Sequence, residues 1–418
     1  MDLILFFIGL IKLFTNKLAT TITIIFILCS TYLQYNIIDP LFTNAFFVHN
    51  VSDVGIVLYI LFFIKVAIKK GLDFRGPFQK VISIFLIYIL FNGLYDCFYN
   101  DTPIGDVVRF LRSRILLTVV YIAPNISHDI VNRSFRQIGL ITIISSILII
   151  LQTVTTFNLV EFKISEGRGI KPPITSIIFS AFYLMNYWDK SKLKAIIAFV
   201  ICFIPIALNL KMTYAISVFL ITLLAILFRS KVQLGLKILY LVIIFISSVL
   251  FLNLNDTFSS RLSSMVNETN TVSTGEVSGN FSYRILHAKE RYDYITNNSP
   301  IIALRGIGYI SEKNYRDEPF YLGVYNKEKG QVDQLDNGDI LWSNIFVRVG
   351  LFGLFLYICM YITLIKGYYK LKCLSKRYAL WCSYLLVTLM FTSFGNETMW
   401  YGYFFFYPIL IYKSLRIQ

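Results

Sequence analysis

Residues 341–364 read LWSNIFVRVGLFGLFLYICMYITL, with one charged side chain, Arg348, in the whole run. A helix of that length crosses the ~30 Å hydrocarbon layer of a bilayer. Gly350 and Gly353 remove side chains where a second helix can pack closely. The flanks differ in sign. Asp333, Asp336 and Asp339 lie just before the run, and Lys366, Lys370, Lys372, Lys376 and Arg377 just after it. A transmembrane helix with its basic end in the cytoplasm has this pattern.

Outward from that span, the chain repeats the theme. Further apolar runs lie near 18–36, 51–69, 81–98, 107–124, 137–155, 173–188, 195–210, 212–229, 235–254, 379–394 and 401–414. Hydrophobic residues make up 56% of the 418 and charged ones 15%, a balance that suits lipid as solvent better than water. The expected fold is an all-α integral membrane protein of about twelve transmembrane helices in one polytopic domain, 1–418. Residues 1–14 are apolar but broken by Lys12, which predicts an interfacial helix or an extension of the first span.

The loops set the orientation. Lys69, Lys70, Arg75 and Lys80 occupy one connection, and Arg133 and Arg136 the next on that side. Lys190, Lys192 and Lys194 follow, then Arg229 and Lys231, whereas connections 37–50, 99–106 and 395–400 contain no Lys or Arg. This alternation predicts a multi-pass protein of the bacterial inner membrane with both termini cytoplasmic. It also accounts for the net charge of +15 without a nucleic-acid partner.

Two outward connections break the bias. Loop 156–172 contains EGRGIKPP, with Arg168 and Lys171, and the loop at 255–340 is much the longest. The long loop carries nine Lys/Arg against twelve Asp/Glu, so it is not a simple basic patch. A connection of that length usually has a function or no fixed structure. Within it, SYRILHAKERYDYITNN (282–298) has the spacing of an amphipathic helix.

Soluble-enzyme motifs are absent: there is no GxxxxGK[ST], HExxH, GxSxG or CxxC, and only His49, His128 and His287 occur. No metal site or cofactor is expected. The candidates are outward cations, glycines and acids. Arg109 and Arg112 stand one turn apart, either snorkelling to headgroups or contacting a diphosphate. Arg168 is flanked by glycines, which let backbone and guanidinium approach a phosphate, and Lys211 lies in a short turn, ALNLKMTYAI. Arg284 precedes Arg305, Gly306 and Gly308; a tight turn uses the same glycines. Asp339, nearest the membrane, suits a base or a helix cap.

In order and spacing these pieces resemble the bacterial O-antigen polymerase and ligase superfamily, the Wzy-type repeat-unit polymerases and their relatives. GRGIKPPITSIIFSAFYL (167–184) looks like the family's basic-Gly-Pro lead-in to a middle span, and LNLKMTYAISVFL (208–220) has Lys211 where Arg is usual. SYRILHAKERYDYITNNSPIIALRGIGYI (282–310) resembles the Arg, amphipathic helix and G-x-G of the family's large loop, and DNGDILWSNIFVRVGLFGL (336–354) its exit. Two departures matter. Ligases typically place a His-Asn pair where Asp339 and Ile340 stand, which favours polymerase, and Arg348 occupies a place where an acid is frequent.

The resemblance implies a GT-C-like glycosyltransferase that joins undecaprenyl-diphosphate-linked oligosaccharide units in O-antigen or capsule synthesis. It implies that Arg168, Lys171, Lys211, Arg284, Arg305, Gly306 and Gly308, with Arg109 and Arg112, meet the diphosphate. Asp339 or Asp336 would serve the acceptor hydroxyl. Membrane lipid, a chain-length regulator and a flippase are the implied partners. An O-antigen ligase, another lipid-linked glycosyltransferase, or a polysaccharide transporter or flippase are the alternatives.

Overall fold

The computed structural model describes residues 2–30, 51–155, 175–187, 191–208, 275–315, 319–326, 331–335, 340–371 and 402–415, with scattered positions between 235 and 272. The expected spans 212–229, 235–254 and 379–394 lie outside the continuously described residues.

The described chain is almost entirely helical. It runs α1 (Asp2–Phe14), α2 (Leu18–Cys29), α3 (Val51–Lys70), α4 (Pro77–Tyr99), α5 (Ile104–Arg112), α6 (Val119–Ile122), α7 (His128–Val154), α8 (Thr175–Tyr187) and α9 (Lys192–Leu208). The long polar region follows as α10 (Asn280–Asn298), α11 (Pro300–Arg305) and an antiparallel pair, β1 (Val324–Asn326) with β2 (Gln331–Asp333). It leads into α12 (Leu341–Leu371), and α13 (Tyr403–Leu415) ends the described chain.

Among the described residues, three helices are long and apolar enough to cross a bilayer: Pro77–Tyr99, His128–Gln152 and Leu341–Lys370. The fold is thus an all-α membrane protein. The expectation of about twelve spans goes further than these helices do, and the structure bears on two of the expected elements. Residues 2–14 do not extend the first span. The chain turns at Asn16 (φ 57°) and lays α1 back against α2, with Gly9 seated on Leu58 and Ile24. The expected span at 107–124 is not one helix. It breaks at Ser113 into 3₁₀ turns at 113–118 and 123–125 around α6. The Arg114 guanidinium donates to the Phe110 carbonyl at 2.6 Å and to Ser113 Oγ at 2.9 Å. An α-helix would need that carbonyl for the amide of residue 114.

Hydroxyl groups join the helices where lipid offers no polar partner. Thr23 Oγ1 lies 3.0 Å from Ser134 Oγ and donates to Gln137 Oε1 at 2.8 Å, while Ser134 meets the Tyr407 hydroxyl at 2.5 Å. Between α7 and α8, Thr142 and Thr175 hydroxyls are 3.0 Å apart, beside Gly139, which seats Phe179. Small residues and hydroxyls of this kind let helices approach and bond inside a membrane.

Polar contacts mark the two ends of the bundle. At one, Lys70 Nζ donates to the Asn125 carbonyl (2.7 Å), Asp73 N to the Tyr121 carbonyl (2.9 Å), and His128 meets Ser414 (3.2 Å). Lys69, Arg75, Lys80 and Lys413 belong to that end by sequence. The opposite end gathers Asp53, the 100–114 stretch, and the polar region 280–335.

Candidate functional site

The polar region is fixed to the bundle by two carboxylates that sequence reading had not singled out. Asp96, in the last turn of α4, has a fully buried side chain and forms an ion pair with Arg305 at the end of α11. Arg305 Nε also donates to Asn92 Oδ1 at 2.9 Å, and its guanidinium lies 4.2 Å from the Tyr95 ring centre. Asn92 Nδ2 returns a bond to the Arg305 carbonyl at 3.1 Å, and Tyr309 N donates to Asp96 Oδ2 at 2.7 Å. Gly308, at φ 103°, faces that carboxylate so closely that a Cβ would collide with it. A charge within a span is tolerated when paired in this way.

The second carboxylate is Asp106 on α5. Its Oδ2 accepts from Ser311 N at 2.9 Å and from Asn314 Nδ2 at 2.7 Å. Burial pushes this carboxyl up, but bonds from Asn314 and Ser311 and the charge of Arg109 outweigh it, and its pKa is lowered. Between the two anchors, the Tyr309 ring stacks on Phe110 at 3.8 Å.

On α12, Gly350 has φ 65° and ψ −172°, so the helix is broken there. The break frees carbonyls that neighbours then occupy. Ile307 N donates to Val347 O at 2.8 Å and the Tyr88 hydroxyl to Val349 O at 2.6 Å; in the other direction, the Arg348 guanidinium donates to the Ile310 carbonyl. Gly306 and Gly350 face each other backbone to backbone, with no room for a Cβ on either. These glycines serve a main-chain contact between α11 and α12.

The polar region shares a small core with the start of α12: Ile295, Phe320 and Leu335 with Phe346 and Val347. Arg291, 1% exposed, pairs with Glu290 at 2.7 Å, donates to Gln334 O at 3.0 Å and lies 4.3 Å from the Phe320 ring centre. Its pKa falls to about 10, because burial disfavours the cation more than Glu290 supports it. Glu312 accepts from Gln334 N and Leu335 N, both at 2.5 Å.

His287 is the buried link between α10 and α12. Its Nδ1 lies 3.1 Å from Ser343 Oγ, and its Nε2 has no partner among the described residues. Burial, with Arg291 nearby, lowers its pKa to about 3, so the imidazole is neutral at physiological pH.

The sequence candidates fall in different places. Arg284 is half-buried on α10, one turn before His287 and on the same face. Arg305, Gly306 and Gly308 join the Asp96 anchor. Arg109 is exposed on α5, and Arg112 is bound to Asp53 at 2.6 Å on α3. Arg168, Lys171, Lys211, Asp336 and Asp339 lie outside the described residues. Asp96 was the clearest missed signal, since a lone acid in the apolar run 81–98 requires a partner.

The helices and the anchored polar region define the class: an all-α membrane protein with a folded polar cap at one end of its bundle. Compared with family models and with curated proteins, the chain matches none.

Proposed function

We propose that this chain is a polymerase of undecaprenyl-diphosphate-linked oligosaccharide units, acting at the outer face of the bacterial inner membrane. In this reading the basic end of the bundle is cytoplasmic, the cap is periplasmic, and about twelve spans form a GT-C-like glycosyltransferase. A chain-length regulator and a flippase act beside it.

The observation that carries the reading is the docking of α10 on α12 through His287 and Ser343. It turns toward α12 the face of α10 that carries His287 and, one turn earlier, Arg284. In this reading Asp339, two residues ahead of α12 in the chain, works beside Arg284 at that junction. The acceptor hydroxyl oxygen attacks the anomeric carbon of the donor, and the bond from that carbon to the diphosphate oxygen breaks. The hydroxyl proton passes to the carboxylate of Asp339 or Asp336. Arg284, with Arg168, Lys171 and Lys211, stabilises the departing undecaprenyl diphosphate; Arg109 lies on the exposed approach. Arg305 contributes by holding Gly306–Tyr309 against α4, because Asp96 and Asn92 occupy its guanidinium.

Replacing Arg284 by Ala removes a charge stabiliser and lowers the rate by about 10²–10³-fold, with protein level unchanged. Gels of extracted polysaccharide then show single units instead of a ladder. A wild-type ladder from that variant refutes the role of Arg284, and one from Asp339→Asn refutes the base.

A further inference from the structure

The short helix α11 has an outer face that the cap does not cover. Ile302 packs inward on the cap's core, while Ile301 and Leu304 are 56% and 59% exposed. Their neighbours identify the surroundings. The Leu304 carbonyl accepts from the Tyr88 hydroxyl at 3.1 Å, and Leu304 also packs on Gly350. Tyr88 lies three turns inside the Tyr99 end of α4, about 16 Å at 1.5 Å per residue. Gly350 lies two and a half turns into α12 from Leu341, about 14 Å by the same measure. Both spans place α11 below their cap-side ends.

At that level α4 exposes Ile84, Ile87, Phe91 and Leu94, and α12 exposes Phe352 and Phe355. Ile301 and Leu304 continue this apolar surface. The backbone around them is supplied with protein partners. Asn92 bonds the Arg305 carbonyl, Gly306 N bonds the Ile302 carbonyl at 2.8 Å, and Ile307 N bonds Val347 O at 2.8 Å. Irregular backbone at membrane depth needs such partners, whereas a loop in water does not.

We propose that α11 is a wedge inserted into the bilayer, its Ile301 and Leu304 side chains in contact with the acyl chains of surrounding lipid. Asn297, Asn298 and Ser299, just ahead of it, stand at the headgroups. The wedge anchors the cap to the membrane independently of any glycosyl transfer.

The test uses the unmodified full-length protein in nanodiscs of phosphatidylcholine carrying a photoactivatable diazirine at the end of one acyl chain. After illumination, adducts are mapped by peptide mass spectrometry. Adducts on Ile301 and Leu304 are expected within a factor of about two of the yield on Phe355, and none on Lys289 or Asp293 of α10. Hydroxyl-radical footprinting of the same discs should modify Tyr321 and spare residues 301 and 304. Labelled Phe355 and Phe91 with a bare 299–305 segment overturns the proposal. So does radical modification of Leu304 equal to that of Tyr321, the outcome expected of a water-exposed helix.

Discussion

At the residue scale, the decisive group is Asp96, and it shows why a cation's position in sequence does not fix its job. Arg305 stands in a G-x-G context that reads as phosphate binding, yet its guanidinium is engaged by Asp96, Asn92 and Tyr95. Breaking a buried pair leaves one charge uncompensated and costs about 3–5 kcal/mol. Asp96→Asn and Arg305→Gln should therefore each lower the unfolding midpoint of the detergent-purified protein, and the double variant should lose less than the sum of the two. Additive losses would show that the two side chains are not coupled. Arg284 stood out by its place in the amphipathic segment 282–298, which is α10. For Asp96 the need of a partner was readable in its apolar run, but Arg305 as that partner was not, since pairing across two hundred residues leaves no local pattern.

At the element scale, the break in α12 joins the cap to the bundle. Gly350 and Gly353 were legible as small residues for close packing, and Gly353 does lie against Tyr88. The conformation of Gly350 was not legible, because a run with hydropathy like 341–364 reads as one uninterrupted helix. At φ 65° and ψ −172° an L-residue pays about 1–3 kcal/mol in backbone strain, and here a Cβ also meets the Leu304 carbonyl. Gly350→Ala should reduce stability by more than that strain alone and should expose the 304–310 backbone, whereas Gly353→Ala meets mainly side chains and should cost less. Hydrogen exchange at residues 304–310 checks this: faster exchange in Gly350→Ala is expected, and unchanged exchange would mean the cap does not depend on the break. The stretch 107–124 departs from a single α-helix for a related reason. Its apolar composition was read correctly, but Arg114 takes a main-chain carbonyl away from the helix ladder.

At the scale of the whole molecule, the alternation of basic and non-basic connections was the strongest sequence signal. The described helices do bring Lys70, Asn125, His128 and Ser414 to one end, and Asp53, Arg112, Asp106 and the cap to the other. In the proposed orientation the first of these ends is the cytoplasmic one, as the basic connections predict. Alkaline phosphatase fused after Gln418 should be inactive, and fused within 270–275 active. The reverse pattern would put the cap in the cytoplasm and remove the proposed chemistry with it.

The most direct test of the whole account supplies purified protein in lipid vesicles with undecaprenyl-diphosphate-linked repeat units from its own host, and nothing else. Glycan joined to the carrier should lengthen stepwise, releasing one undecaprenyl diphosphate per bond formed, and Arg284→Ala should stop the lengthening. Movement of the units across the bilayer without any change in their length would contradict the account and mark the protein as a transporter.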